Sequence, residues 1–280
     1  MTNVISERIC FYSSMFRGRS SAEEIINCAK KYGVAGVELM SFCDELRTPD
    51  RVEARRLARI AGDGGLVLPC FSVGVDLTGD NREERFAWLR GYAEICSDLE
   101  IPYLHHTVCS ALDPTVATRN TSEKVKRGIE MAMRMNEYAA TLGVSTIVED
   151  QGFVFNGVSG FDLLYSAAGG RIGTLLDVGN IMFVDERAED FGRAYSDSIR
   201  HVHLKDYKIL DTPPTERAYT TLGGRYLLPV EIGTGDVDLR AVARALSDAN
   251  YGGYLAVEFE RVQDLSEVDR VLARLASVFD

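Results

Sequence analysis

The chain has 280 residues, 46% of them hydrophobic and 26% charged, which is enough apolar material for a large core and too little disorder-promoting sequence for an unfolded chain. A formal charge of −11, from 31 basic and 42 acidic residues, argues against a nucleic-acid partner, and no window approaches the roughly 18 uninterrupted apolar residues of a membrane span. The N-terminus MTNVISERICFY has no long apolar region and the six cysteines form no C-x-x-C pair, so the expectation is a soluble cytoplasmic protein with buried free thiols.

Eight short apolar runs recur along the chain: Arg8–Tyr12, Ala35–Met40, Val67–Val73, Tyr103–Val108, Ser145–Glu149, Thr174–Val178, His201–Lys205 and Leu255–Phe259. They are rich in Val, Ile and Leu and mostly do not alternate, as expected of strands buried on both faces of a parallel sheet. Charged amphipathic stretches lie between them. Ser20 or Ser21 caps a helix through Lys31, with Glu23 and Glu24 in its first turn. Thr121 or Ser122 opens Glu123–Leu142, which Gly143 ends; Asp236–Asp238 leads into Leu239–Ala249; Gln263–Phe279 closes the chain. Tyr32-Gly33, Leu142-Gly143 and Tyr251-Gly252-Gly253 each precede a strand, where a helix-ending Gly is expected. Eight strand-then-helix units without a long polar linker predict one α/β domain over residues 1–280, a single (β/α)8 TIM barrel. No G-x-G-x-x-G follows the first strand, which argues against a doubly wound sheet. The longest irregular segment, Tyr207–Gly235, carries Pro213, Pro214, Gly223, Gly224 and Pro229. It follows the seventh strand, so it would arch over the C-terminal face.

In such a barrel, polar residues at the C-terminal ends of strands point into the active site. Those ends carry Glu38, His105 with His106, Glu149 with Asp150, Asp177 with Asn180, His203 with Lys205 and Asp206, and Glu258 with Glu260. Ionised groups ending apolar strands are costly unless paired or metal-bound. Glu149, Asp177, His203 and Glu258 end strands five to eight, on one side of the barrel mouth. Three carboxylates and an imidazole suit one hard or borderline divalent ion, Mn²⁺ first, with Mg²⁺, Co²⁺ or Zn²⁺ as alternatives.

Several sequence pieces occur together: Gly36-Val37-Glu38-Leu39, the strand ending in Glu149, Leu176-Asp177-Val178-Gly179-Asn180, His201-Val202-His203-Leu204-Lys205-Asp206, Gly233-Thr234-Gly235-Asp236-Val237-Asp238 and Gly253-Tyr254-Leu255-Ala256-Val257-Glu258. In this order the chain resembles the xylose-isomerase-like barrel superfamily, in its sugar-phosphate isomerase/epimerase branch. The resemblance implies that Glu149, Asp177, His203 and Glu258 ligate the metal, and that a sugar carbonyl and neighbouring hydroxyl chelate it. It implies that Glu149 and Glu258 are catalytic, moving a proton on and off the substrate carbon while the metal stabilises a cis-enediolate as a Lewis acid. Two departures stand out. Many relatives have His where this chain has Asn180, and some have Asn-His where it has Asp150-Gln151, so an imidazole for proton relay is missing at two places.

Around this set, Glu38, His106, Asn180, Lys205 and Arg225 are expected to bind a small carbohydrate-like substrate. Alternation sends only one of His105 and His106 inward. Lys205 either pairs with Asp206 at the rim or meets a substrate oxygen, and Arg225 would clamp the substrate from the long loop. His201 reads as a packed core histidine on the face of His203, and Phe153 and Phe155 as an apolar wall over a sugar ring. Gly233, Gly235 and Asp236 read as a turn and helix cap, because Asp236 and Asp238 would repel a phosphate. The leading functional expectation is a metal-dependent isomerase or epimerase of a keto-sugar or hydroxy-carbonyl compound. The alternative is a lyase, either a keto-inositol dehydratase or an eliminase of 3-keto glycosides. Four histidines and the negative charge disfavour cleavage of damaged DNA, and the full ligand set disfavours a non-catalytic barrel. Barrels of this family often pair through surface helices, so a homo-oligomer is a further expectation.

Overall fold

A computed structural model describes residues 4–12, 21–113, 123–259 and 265–279. The helix starts expected at Ser20, at Thr121 or Ser122 and at Gln263, and the strand-end residue Glu260, lie outside the described residues.

Eight parallel strands close into a barrel: β1 (Ile9–Tyr12), β2 (Gly36–Met40), β3 (Cys70–Val73), β4 (Tyr103–His106), β5 (Ser145–Glu149), β6 (Gly173–Asp177), β7 (Ile199–Leu204) and, after three short strands described below, β11 (Leu255–Val257). β11 pairs with both β7 and β1, which completes the ring. The expected (β/α)8 TIM barrel is therefore the observed fold. Described helices include Ala22–Tyr32, Arg51–Asp63, Arg82–Asp98, Glu123–Thr141, Gly157–Ala167, Ala188–Ala194, Leu239–Asp248 and Leu265–Phe279.

Local chemistry sets the helix ends. Ser21 forms a capping box with Glu24, each side chain taking the other's backbone N–H. Gly33 and Gly143 follow their helices at φ 63° and 74°, a left-handed conformation that suits residues without Cβ. After Leu239–Asp248 this conformation falls to Asn250 (φ 52°), not to Gly252 or Gly253. All six cysteines are free, and all but Cys28 are buried.

Strand alternation divides the interior into layers. Cys70, Ile147 and Leu175 form a small apolar plug inside the barrel, with Tyr103 packed on it. Two residues further along the same strands, on the same face, come Ser72, His105, Glu149 and Asp177. The polar residues thus stand on a dry apolar floor, while the outward faces pack against the helices in one continuous core.

The segment expected to be irregular contains a three-stranded antiparallel sheet. Strands β8 (Tyr207–Leu210) and β9 (Tyr219–Thr220) flank β10 (Tyr226–Pro229). Pro213, Pro214, Gly223 and Gly224, which read as loop punctuation, lie between these strands, whereas Pro229 is the last residue of β10 and pairs with Tyr207. Asp206 anchors the far end of the excursion. Its buried carboxylate accepts the backbone N–H groups of Tyr207, Gly233, Gly235 and Val237 at 2.8–3.1 Å. Asp238 accepts from Ala241 N at 2.9 Å and caps the next helix. The glycine-rich piece is a turn and cap, as its sequence suggests, and its amides are turned onto the chain's own Asp206.

Replacing Asp206 by Ala leaves four inward N–H groups without their acceptor. Chemical denaturation should show a loss of about 2 kcal/mol, and hydrogen exchange at Gly233–Val237 should quicken.

Candidate metal centre and active site

Each of the four predicted ligands stands at or just beyond a strand end: Glu149 on β5, Asp177 on β6, His203 on β7 and Glu258 after β11. The register places Asp177 beside His203 and Ala256 beside His203, so the four share one arc of the mouth. One ligand atom from each lies within 4.8 Å of all the others. His203 Nδ1 is 3.6 Å from Glu149 Oε1, 3.8 Å from Asp177 Oδ2 and 3.9 Å from Glu258 Oε2. Glu149, Asp177 and His203 are buried, whereas the Glu258 side chain keeps 22% of its exposure and marks the open side.

Backbone and amide bonds aim these groups. Asp177 Oδ1 accepts the N–H groups of Gly179 and Asn180, both at 2.9 Å, which turns Oδ2 towards His203. Asn180 Nδ2 donates to Glu149 Oε1 at 2.8 Å, and Asn180 Oδ1 accepts from Lys205 Nζ at 3.0 Å. Lys205 Nζ also sits 2.8 Å from Asp177 Oδ2 and 2.9 Å from Glu258 Oε2. Asp150 backs the arrangement by accepting Asp177 N at 2.7 Å.

A divalent ion fits this donor set. Two buried ring nitrogens without a hydrogen-bond partner, His203 Nδ1 and His105 Nε2, both face Glu149, and Asp177 Oδ2 beside them is met by the Lys205 ammonium. Unpartnered buried polar atoms are costly, and their convergence with the carboxylates is relieved by a cation. One imidazole nitrogen and three carboxylate oxygens are hard to borderline donors.

The electrostatics are strongly polarised. Burial would raise the Glu149 carboxyl, but the neighbouring His105 and His203 rings hold it well below the usual range. Burial raises Glu258 despite the Lys205 ammonium, helped by the Asp177 charge. Burial would lower Lys205, yet Asp177 and Glu258 push it well above its ordinary value, so it stays a cation. Burial raises Asp150, and the neighbouring Asp177 charge adds to this.

The residues expected to bind substrate divide. Asn180 and Lys205 stand in the site, and Lys205 pairs with Asp177 and Glu258 instead of Asp206. Glu38 does not face the mouth. It is fully buried beneath His203 and receives Ser72 Oγ, His201 Nε2 at 2.6 Å and His203 Nε2 at 3.0 Å. Arg225 pairs with Asp185, which takes its Nη2 at 2.7 Å and Gly223 N at 2.8 Å and so fastens the loop. Phe153 and Phe155 are buried in the core rather than open to a ligand. His105, not His106, is the inward histidine: its Nε2 lies 3.4 Å from Glu149 Oε2 and its Nδ1 2.7 Å from Ser72 Oγ. Sequence reasoning also missed Ser72 and Tyr12. The Tyr12 ring sits 4.6 Å from the His203 ring, and the inward parity of β1 could have flagged it.

His106, on the opposite face, is fully buried, its Nδ1 3.1 Å from the Thr107 carbonyl. Burial lowers its pKa to about 4. The native state keeps it neutral, while the unfolded chain takes up a proton below about pH 6.5. Its stabilisation is therefore complete above about pH 6.5 and lost as pH falls towards 4, on the order of 3 kcal/mol. Urea denaturation at pH 7, 5.5 and 4.5 should show the stability gap between wild type and His106→Gln closing as pH falls.

The sequence profile of the family described as xylose isomerase-like TIM barrel matches residues 26–277. An inosose dehydratase from Clostridium perfringens (strain 13 / Type A) is 32% identical over 92 residues, 31% of this chain and 30% of that protein. The alignment thus spans less than a third of that relative's length. Among solved structures, a D-psicose 3-epimerase with D-tagatose from Clostridium cellulolyticum H10 superposes with a TM-score of 0.74 at 15% identity, covering 98% of this chain and 99% of that one. A xylose isomerase-like TIM barrel protein from Mycobacterium smegmatis in complex with magnesium gives 0.74 at 14% identity, covering 100% and 98%. A probable 3-DHS dehydratase from Bacillus anthracis gives 0.76 at 14%, covering 96% and 98%. At these identities the structural likenesses speak for the fold, and the profile match over most of the chain places this protein in the xylose isomerase-like TIM barrel family.

Proposed function

We propose that this protein is a cytoplasmic, divalent-metal-dependent isomerase or epimerase of a small keto-sugar or hydroxy-carbonyl compound. The observation that carries the reading is the pair of carboxylates, Glu149 and Glu258, whose oxygens lie 3.6 and 3.9 Å from His203 Nδ1, with Asp177 completing the set. Glu149, Asp177, His203 and Glu258 would hold one ion, Mn²⁺ first, with Mg²⁺, Co²⁺ or Zn²⁺ as alternatives. When bound, the ion supplies Lewis-acid polarisation of the substrate carbonyl. Glu149, its carboxyl held below the usual carboxylate range, takes the proton from the carbon beside that carbonyl. Glu258, raised by burial and nearest to solvent, returns a proton on the other side. Lys205 offers a fixed positive charge to a substrate oxygen. A D-psicose 3-epimerase of matching architecture supports this reading at the level of the scaffold.

A second reading is a lyase. Asn180 favours it, because an amide locked between Glu149 and Lys205 cannot relay a proton. After Glu149 takes the proton, the electron pair forms a carbon–carbon double bond and expels a β-hydroxyl or β-alkoxy group, which leaves as water or alcohol with a proton from Glu258. The partial match to an inosose dehydratase supports a keto-inositol as the substrate of that reaction.

Incubating the protein with each metal in D₂O, against ketoses, keto-inositols and 3-keto glycosides, separates the readings by NMR. An isomerase gives deuterium beside the carbonyl and an interconverted sugar; a lyase gives an enone and released water or alcohol. Glu149→Gln should slow either reaction by about 10²–10⁴-fold. No exchange and no elimination with any substrate and metal would overturn the proposal.

A further inference from the structure

Resting on the ligand set proposed above, we propose that Glu38 is a positioning residue for the metal centre: its carboxylate fixes His203 with the proton on Nε2, so that Nδ1 presents its lone pair to the ion. The geometry is two-sided. His203 Nε2 lies 3.1 and 3.0 Å from the two oxygens of Glu38, while Nδ1 has no hydrogen-bond partner and faces Glu149, Asp177 and Glu258. Turning the ring over would set C–H groups against Glu38 and leave three carboxylates facing carbon, so the hydrogen-bond network settles the ring orientation. Neighbouring rings hold it in place: Tyr12 at 4.6 Å, with His201 at 5.5 Å and His105 at 5.7 Å edge-on.

Glu38 is equipped to act only as an acceptor. It is wholly buried, and Ser72 Oγ, His201 Nε2 and His203 Nε2 all point at its two oxygens. Since the Ser72 hydroxyl gives its one proton to Glu38, it must accept from His105 Nδ1, and His105 in turn stands beside Glu149. One buried carboxylate therefore orders the imidazole ligand directly and the Glu149 side of the site through two intermediaries. A carboxylate behind a ligating histidine fixes its tautomer and strengthens it as a donor.

The test uses the full chain, labelled with ¹⁵N-histidine and titrated with Zn²⁺ alone. With four histidines in the chain, single substitutions assign every ring. The expected wild-type spectrum shows His203 with zinc on Nδ1 and a proton on Nε2. Glu38→Gln should weaken Zn²⁺ binding by about 10–100-fold, with the wild-type circular dichroism retained. Zinc bound through His203 Nε2, or wild-type affinity in Glu38→Gln, would overturn the positioning role while leaving the ligand set standing. If the variant does not fold, the wild-type spectrum decides alone. A wild type that binds no Zn²⁺ would overturn the ligand set and this role with it.

Discussion

Three carboxylates are brought to within 4.8 Å of one imidazole nitrogen in the mouth of a closed barrel, and the rest of the site is arranged around that concentration of charge. Removing ionised groups from water costs several kcal/mol each unless they are paired or hydrogen-bonded. The chain meets this cost with fixed donors. Two backbone N–H groups hold Asp177, an amide holds Glu149, and the Lys205 ammonium touches both Asp177 and Glu258. Below them the Glu38 carboxylate lies against two imidazoles, and burial, which would raise it, is outweighed by those rings. From the barrel interior to the mouth, the Glu38 carboxylate, the imidazole rings and the three further carboxylates follow one another, and a divalent cation fits where the donor lone pairs meet.

The barrel makes this possible through alternation and register. An apolar plug of Cys70, Ile147 and Leu175 closes the interior, and the next inward position on each strand carries a polar group. Parallel strands place those groups side by side, so β5, β6 and β7 each carry one proposed ligand and the fourth, Glu258, directly follows β11. The excursion after β7 does another job. Asp206 gathers its far end and Asp185 its tip, so the loop sits firmly over the C-terminal face.

Much of this was legible in the sequence, because strand ends in a barrel carry chemistry whatever the loops do. Ser145–Glu149 was placed to the residue, and the four proposed ligands could be named from their positions alone. Parity and partnership were less legible. His105 and His106 are chemically alike, and one residue of register decides which faces in. Glu38 reads as a strand-end ligand but sits in the middle of β2, and its partners Ser72 and His201 come from distant parts of the chain, so its position beneath His203 needs the closed ring. The partner of Arg225, Asp185, lies 40 residues earlier, where no local pattern reveals the pair. The three short strands between residues 207 and 229 were hidden by the Pro and Gly that form their turns.

The chemistry of the site depends on whether Glu149, Asp177, His203 and Glu258 together bind one divalent ion. Titrating metal-free protein with Mn²⁺, counting bound ions by electron paramagnetic resonance, tests it directly. One ion per chain is expected in the wild type, with Glu149→Gln, Asp177→Asn, His203→Ala and Glu258→Gln each weakening binding by more than about tenfold. No binding to the wild type, or binding that all four substitutions leave unchanged, would contradict it.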